Sequence, residues 1–265
     1  MTKTFSQSIP LLILLSLLFS NVSKAKTLEV KSSKKITVTE DFDEEDFDLG
    51  YSSKVSEVKD PFEKWNRKIY KFNDNLDYYL FSHVAIAYRQ SLSKPIRKSI
   101  RNFVTNLSLP LSVVNSLLQG KVDNGLATLS HFLINTTLGV VGLFDIAGEK
   151  NIRYSYEDFG QTMGHYGVNA GAYLMLPFLG PSSGRDFGGW LVDKSVDPLG
   201  FGLIEVNGQE EFIEPEYRLA ISAITALDKR ESLLEVLDDV RRESFDPYAT
   251  IRSAYSQKRE NEVKN

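Results

Sequence analysis

Cysteine is absent from all 265 residues, histidine occurs three times and tryptophan twice. Without cysteine there is no disulfide framework, no thiolate metal site, no thiol nucleophile and no thioether point for a diacylglyceryl anchor. Long apolar runs are also missing: no stretch beyond the first 25 residues holds 18 consecutive apolar residues, which excludes a conventional membrane-spanning helix. Strand-like alternation of any length is lacking too, so the expected fold class is mainly α. Bases are outnumbered, 31 against 35 acids for a net charge of −4, which argues against a nucleic-acid partner. What is present is ordinary globular composition, 42% hydrophobic, 25% charged and 11% aromatic, which excludes wholesale disorder.

The first 25 residues read as a secretory signal peptide. Lys3 is followed by an apolar run from Ile9 to Phe19, and Ser23 and Ala25 supply the small residues of a cleavage site. Cleavage there leaves 29 bases against 35 acids. Residues 26–59 have no apolar periodicity and pass from a lysine-rich half to the acidic run Glu40–Asp48. Such a segment buries too little apolar surface to offset the entropy of ordering, so a flexible charged tether is expected. Asp46 stands where a calcium loop needs its turn glycine, so the acidic run is not a metal site.

Order is expected from Asp60. Asp60-Pro61-Phe62-Glu63 has a capping acid, a proline at the first helical position and an acid three residues after the cap. Phe62, Trp65, Ile69, Phe72, Leu76 and Tyr79 then form an aromatic-rich helical stripe. A second helix is expected from Pro95, a third from Pro110 to Gln119, and a fourth along Val122, Leu126, Leu129, Phe132 and Leu133. A glycine-rich middle follows from Leu138 to Gly208. Within it, the short apolar run Ala170–Gly180 fits a buried helix turn or a re-entrant segment. Helical spacing returns near Pro215 as one long helix or two. Asp246-Pro247-Tyr248 opens a last helix over Ile251–Gln257, and residues 258–265 read as a charged tail.

Chemistry-bearing motifs are few. His83, His131 and His165 are the neutral-pH bases, and none falls in a nucleophile elbow or a paired zinc-binding motif. His83 and His131 read as structural. His165 sits between Gly164 and Gly167, where a ring and backbone can approach a partner closely. Arg185 offers a bidentate guanidinium for a headgroup phosphate, or pairs with Asp186 or Asp193. No enzyme, metal or cofactor is expected. Aromatic amphipathic helices suit a boundary between hydrocarbon and water.

Several blocks of motif residues run in order along the chain. They begin with Asp60, Pro61, Asn66, Arg67, Tyr70, Phe72 and Asn73, and continue through Phe103–Leu107, Val114–Gly120, His131-Phe132, Asn135–Gly139 and Gly142–Ala147. The most specific block is Asp158–Val168, with Gly160, Gly164, His165, Tyr166 and Gly167, followed by Pro177, Gly180, Arg185 and Asp186. Asp246-Pro247-Tyr248 closes the series; together these blocks resemble the MlaA/VacJ family, and the resemblance covers residues 60–257. It implies a ring-like helical protein of the outer membrane that removes phospholipid from the outer leaflet and passes it to a periplasmic carrier of the MlaC type, with a porin as membrane partner. It places Asn73, His165, Tyr166 and Arg185 as candidates for the polar lipid path. The remaining motif residues hold the backbone. Members of this family commonly carry a cysteine after the signal peptide; with none in this sequence, retention by amphipathic faces or a partner is expected. The alternative is a non-enzymatic envelope scaffold that organises porins or mediates spread.

Overall fold

The computed structural model describes residues 58–197 and 215–265. The leader and all but the end of the tether lie outside the described residues, as do the glycines at 200, 202 and 208. Helix α1 (Glu63–Leu76) runs through a π-turn (Asp77–Phe81) into α2 (Ser82–Ser91). Then follow α3 (Lys94–Leu118), α4 (Val122–Thr137), the single turn α5 (Ile146–Glu149) and α6 (Phe159–His165). A hairpin of β1 (Tyr173–Leu176) and β2 (Gly180–Ser183) leads into α7 (Gly184–Val196). Helices α8 (Pro215–Ser232), α9 (Leu234–Glu243) and α10 (Pro247–Lys264) complete the chain. The mainly α expectation holds.

The expected boundaries shift in three places, and one open alternative is settled. Pro110 lies inside α3 and starts nothing. It removes one N–H, but buried Asn106, Leu109 and Ser112 flank it, and Asn106 bonds Thr136 of α4 at 2.9 Å, so packing carries the helix through. The run Ala170–Gly180 is neither helix nor re-entrant segment but the first half of an antiparallel hairpin, with Tyr173 opposite Ser183 and Leu176 opposite Gly180. The helical spacing after Pro215 resolves into two helices, broken at Leu233. The last helix does not stop at Gln257 but reaches Lys264, because Arg259 is drawn into buried ion pairs and Val263 lies against Gly164.

The two Asp-Pro signals have different fates. Asp246 caps α10, accepting from the Ala249 N–H at 3.2 Å. Asp60 caps nothing, and Pro61 lies in the turn before α1. The Asp60 carboxylate is instead buried among Asn66 (2.8 Å), Arg252 (3.0 Å) and the Tyr248 hydroxyl, joining the start of α1 to α10.

One small conventional core forms where these elements meet. Tyr173, Met175 and Tyr248 are buried, with Ile69, Tyr70, Ile251 and Tyr255 against them. The Tyr248 ring is met edge-on by Tyr70 at 5.8 Å and by Tyr173 at 6.1 Å, and Arg67 lies over it at 4.4 Å. Two asparagines hold the hairpin edge to α1. Asn66 donates to the Tyr173 carbonyl (3.0 Å) and accepts from the Met175 N–H (2.9 Å). Asn73, two helical turns on, donates to the Leu176 carbonyl and accepts from the Phe178 N–H, both at 2.9 Å. An exposed strand edge invites wrong pairing; here side-chain amides complete it.

Glycines set the spacing of the middle segment. A Cβ on Gly189 of α7 would lie 2.4 Å from the Gly160 nitrogen of α6, so these helices cross backbone to backbone. Gly164 is pressed by Arg185 and Val263, whereas Gly167 and Gly180 serve through positive φ, +84° each. Replacing Asn66 with Ala strands the Met175 N–H and Tyr173 carbonyl. It should cost about 2–4 kcal/mol, read as a lower melting temperature of the purified protein in detergent; an unaltered transition would mean that the hairpin is held some other way.

Candidate functional site

Polarity is turned inside out. Among the described residues, 18 polar or charged side chains are buried against nine apolar ones. Most of the aromatic stripe along α1 and the π-turn faces outward, with Trp65 63% and Tyr79 75% exposed, while Asn66 and Asp77 are buried and Ile69 turns to the Tyr248 core. Helices α3 and α4 show the same arrangement. Ser112, Asn115, Ser116 and Gln119 recur at spacings of three and four and are buried, as are Thr128, His131 and Asn135 of α4. The opposite faces expose Val114, Leu117, Leu126 and Leu133. Gly120, at φ +74°, closes α3, with the Lys121 N–H reaching back to the Ser116 carbonyl at 2.9 Å, and folds α4 against it.

The buried polar groups are wired together. The Thr162 hydroxyl donates to Asn115 (2.9 Å), and the Gln119 amide donates to Thr162 (3.1 Å) and to the Glu157 carboxylate (2.9 Å). Lys121 completes Glu157 at 2.8 Å. Asp145 caps α5 and also accepts from Asn135 and meets His131, each at 2.9 Å, while Tyr154 lies edge-on to the imidazole at 4.6 Å. Burial holds the His131 imidazole below its ordinary value against the pull of Asp145, so it is neutral at pH 7.

Three ion networks staple helices that are distant in sequence. Asp77, in the π-turn, is gripped by Arg230 of α8 and Arg241 of α9, and Arg241 also holds Asp74 at 2.7 Å. Burial alone would raise the Asp77 carboxyl; the two guanidiniums hold it below the usual range. Glu231 and Asp228 of α8 receive Arg89 of α2 and Arg97 and Arg101 of α3. At the α6–α7 crossing, Arg259 of α10 binds Asp158 (2.9 Å) and Asp186 (3.0 Å). Burial opposes ionisation of Asp186, yet Arg259, the Tyr255 hydroxyl and Ser183 keep it well below the usual carboxylate range.

Asp193 of α7 differs. It accepts from the Phe159 N–H (3.1 Å) and, at 3.4 Å, from Asn115, and it makes no ion pair among the described residues. Burial chiefly, with the nearby Asp158 charge, raises its carboxyl.

The residues expected on a lipid path part company. Arg185 turns inward, its side chain 7% exposed, and pairs with Asp186 at 2.9 Å. Asn73 is spent on the hairpin. His165 and Tyr166 are exposed at the end of α6, ring edge to ring face at 5.3 Å, and the Tyr166 hydroxyl donates to the Leu118 carbonyl of α3 at 2.5 Å. Gly164 brings Arg185 to the turn beside His165, whereas Asn73 lies at the hairpin turn. The buried stripes of α3 and α4 escaped notice in the sequence. Their polar residues recur at the same helical spacing as the leucines, and only the assumption that leucine turns inward concealed them.

A helical protein with a bonded polar interior and an apolar exterior is built for lipid or protein neighbours rather than for bulk water. No described helix is long and apolar enough to cross a membrane. The chain belongs to the MlaA lipoprotein family, whose family model matches residues 58–262. An uncharacterized protein of Rickettsia bellii is 37% identical over 224 residues, 83% of this chain and 84% of that one. The Escherichia coli K12 protein named intermembrane phospholipid transport system lipoprotein MlaA is 36% identical over 203 residues, 75% and 76% of the two chains. The Haemophilus influenzae protein of that name is 31% identical over 209 residues, 78% and 80%. A solved structure concerned with the structural basis for maintenance of bacterial outer membrane lipid asymmetry superposes with a TM-score of 0.65. It is 34% identical, covering 77% of this chain and 99% of that one.

Two carboxylates should respond oppositely. The raised Asp193 carboxyl favours the folded state below the unfolded pKa, and that contribution is lost as pH rises through the folded value. Asp193→Asn should therefore raise the melting temperature at pH 8, with the gain vanishing near pH 4. Asp186, held low, contributes stability above its unfolded pKa that is lost as pH falls. Asp186→Asn should cost about 3 kcal/mol at pH 7, because it leaves the buried Arg185 guanidinium without its carboxylate and takes one of two from Arg259. Melting curves from pH 4 to pH 8 check both, and like-signed shifts at pH 8 would refute the assignment.

Proposed function

We propose that this chain is the outer-membrane component of an intermembrane phospholipid transport system, removing phospholipid from the outer leaflet and passing it toward a periplasmic carrier of the MlaC type. The observation that carries the reading is the inverted polarity of α1, α3 and α4, apolar residues outside and hydrogen-bonded polar residues inside. A phospholipid has the same division. Its headgroup pays heavily to enter hydrocarbon unless polar partners accompany it, and its acyl chains need the opposite. The names of the Escherichia coli and Haemophilus influenzae relatives and the subject of the solved structure support the same reading. Movement of the lipid makes and breaks no bond, so the role is non-enzymatic.

The exposed apolar faces and a porin partner contribute to retention at the outer membrane. His165 and Tyr166 offer exposed polar rings to a passing headgroup. Asn73 and Arg185 shape the path indirectly, one by fixing the hairpin and the other by holding the α6–α7 crossing.

Mass spectrometry of lipid co-purified with the membrane-bound protein tests the reading. Bound phospholipid, together with phospholipid accumulating at the cell surface when the protein is lost, is the expected result. Porin binding with neither lipid nor an asymmetry defect would give the scaffold alternative its place. Leu126→Asp combined with Leu133→Asp should shift the protein from the membrane to the soluble fraction while leaving its melting temperature nearly unchanged, since both side chains are already exposed.

A further inference from the structure

A cleft of about 420 Å³ opens between the first turns of α3 and the segment that follows α4. That volume is on the scale of small-molecule sites. One wall carries Lys98 and Asn102; the other carries Asp145 and Glu149; Leu143 and Phe144 form the lip. Lys98 and Glu149 are both exposed on this cleft and make no ion pair among the described residues, so neither charge is neutralised by a protein partner. Among the described residues, the hydrogen bonds to the Asp145 carboxylate all fall on Oδ1, from His131, Asn135 and the Gly148 N–H, leaving Oδ2 free of protein donors. Phe144 is 54% exposed beside these polar groups.

The acidic wall is rigid. Val140 and Val141 both hold positive φ, 52° and 60°, a conformation that β-branched residues adopt only when their surroundings impose it. Here the Val141 and Gly142 N–H groups reach back to the Thr136 and Asn135 carbonyls at 2.9 and 2.8 Å. Gly142 is pressed so close to Asn106 that a Cβ would lie 2.5 Å from it. Asn102 ties the two walls, its amide 3.4 Å from the Leu143 carbonyl. A preformed cleft avoids the cost of ordering its walls on binding.

We infer that this cleft recognises the zwitterionic phosphoethanolamine headgroup of a phospholipid, with the phosphodiester toward Lys98, the ammonium toward Asp145 and Glu149, and the acyl chain leaving over Leu143 and Phe144. An anionic headgroup lacking the ammonium would meet Lys98 but leave two carboxylates facing its negative charge. The inference rests on the phospholipid-transport reading and adds the headgroup class to it.

The test places a photoreactive benzoylphenylalanine at Phe144 of the otherwise intact protein. The protein is then exposed to vesicles of phosphatidylethanolamine or phosphatidylglycerol with identical acyl chains. Labelling of phosphatidylethanolamine should exceed that of phosphatidylglycerol by about fivefold, the scale that one exposed ion pair supports. Lys98→Glu and Glu149→Lys should each abolish the preference without moving the melting temperature, since neither side chain has a partner to lose. The double exchange should restore it with the walls reversed. Soluble glycerophosphoethanolamine should compete the label away. Equal labelling of the two lipids, a preference that survives both single variants, or no competition by the soluble headgroup would overturn the assignment. Mass spectrometry of lipid bound to the same preparation separates the two levels: phospholipid present without preference at Phe144 refutes the cleft alone, and its absence refutes the transport reading beneath it.

Discussion

A polar group turned into a protein interior must find a partner, because leaving it bare costs about as much as a whole helix cap contributes. That constraint governs this structure more than hydrophobic burial does. In α3 most inward positions are Ser, Asn and Gln, and Asn115 is met by Thr162, Ser116 by Asn124 and Gln119 by Glu157, while the Asn106 amide donates to Thr136 with its Oδ1 left unpaired. Hydrogen bonds are directional where apolar contacts are not, so the helices are fixed in register as well as brought together. The few conventional core residues around Tyr248 occupy one corner and do not organise the rest.

The ion networks extend the same logic across the chain. Helix α8 is joined to α2 and α3 through Glu231 and Asp228, α8 and α9 to the π-turn through Arg230 and Arg241, and α10 to α6 and α7 through Arg259. Each acid in these sets has its guanidinium, so little net charge is carried inside. A buried pair is a weak source of stability but a costly thing to break, and it specifies which helix meets which. The glycine crossing of Gly160 and Gly189 lets Asp158 and Asp186 come close enough to share Arg259. Spacing and electrostatics are one device at that point.

An interior built this way leaves the apolar residues for the outside, and the functional reading follows from that surplus. Trp65, Tyr79, Leu126 and Leu133 lie where water would penalise them and hydrocarbon would not. A molecule with polar headgroup and apolar tails is complementary to such a protein along its whole length. The headgroup recognition proposed for the cleft beside Lys98 and Glu149 would add discrimination to a scaffold whose general polarity already favours lipid.

Local signals determined much of this protein. Apolar spacing marked the helices, Asp246-Pro247 marked the start of α10, and the ordered motifs from Asp60 to Tyr248 marked the family, since each depends on neighbours within a few residues. Which face turns inward was decided only by tertiary structure. The spacing of three and four is the same for an inward leucine stripe and an outward one, and nothing local distinguishes them. Asp60 has the sequence of a cap, yet Tyr248 and Arg252, 188 and 192 residues away, claim its carboxylate. Pro110 has the look of a helix start, yet contacts across α4 carry the helix past it. Arg185 has the chemistry for a phosphate, yet Asp186 takes it first. In each case the deciding energy comes from a partner remote in the chain, and a one-dimensional pattern does not hold that information.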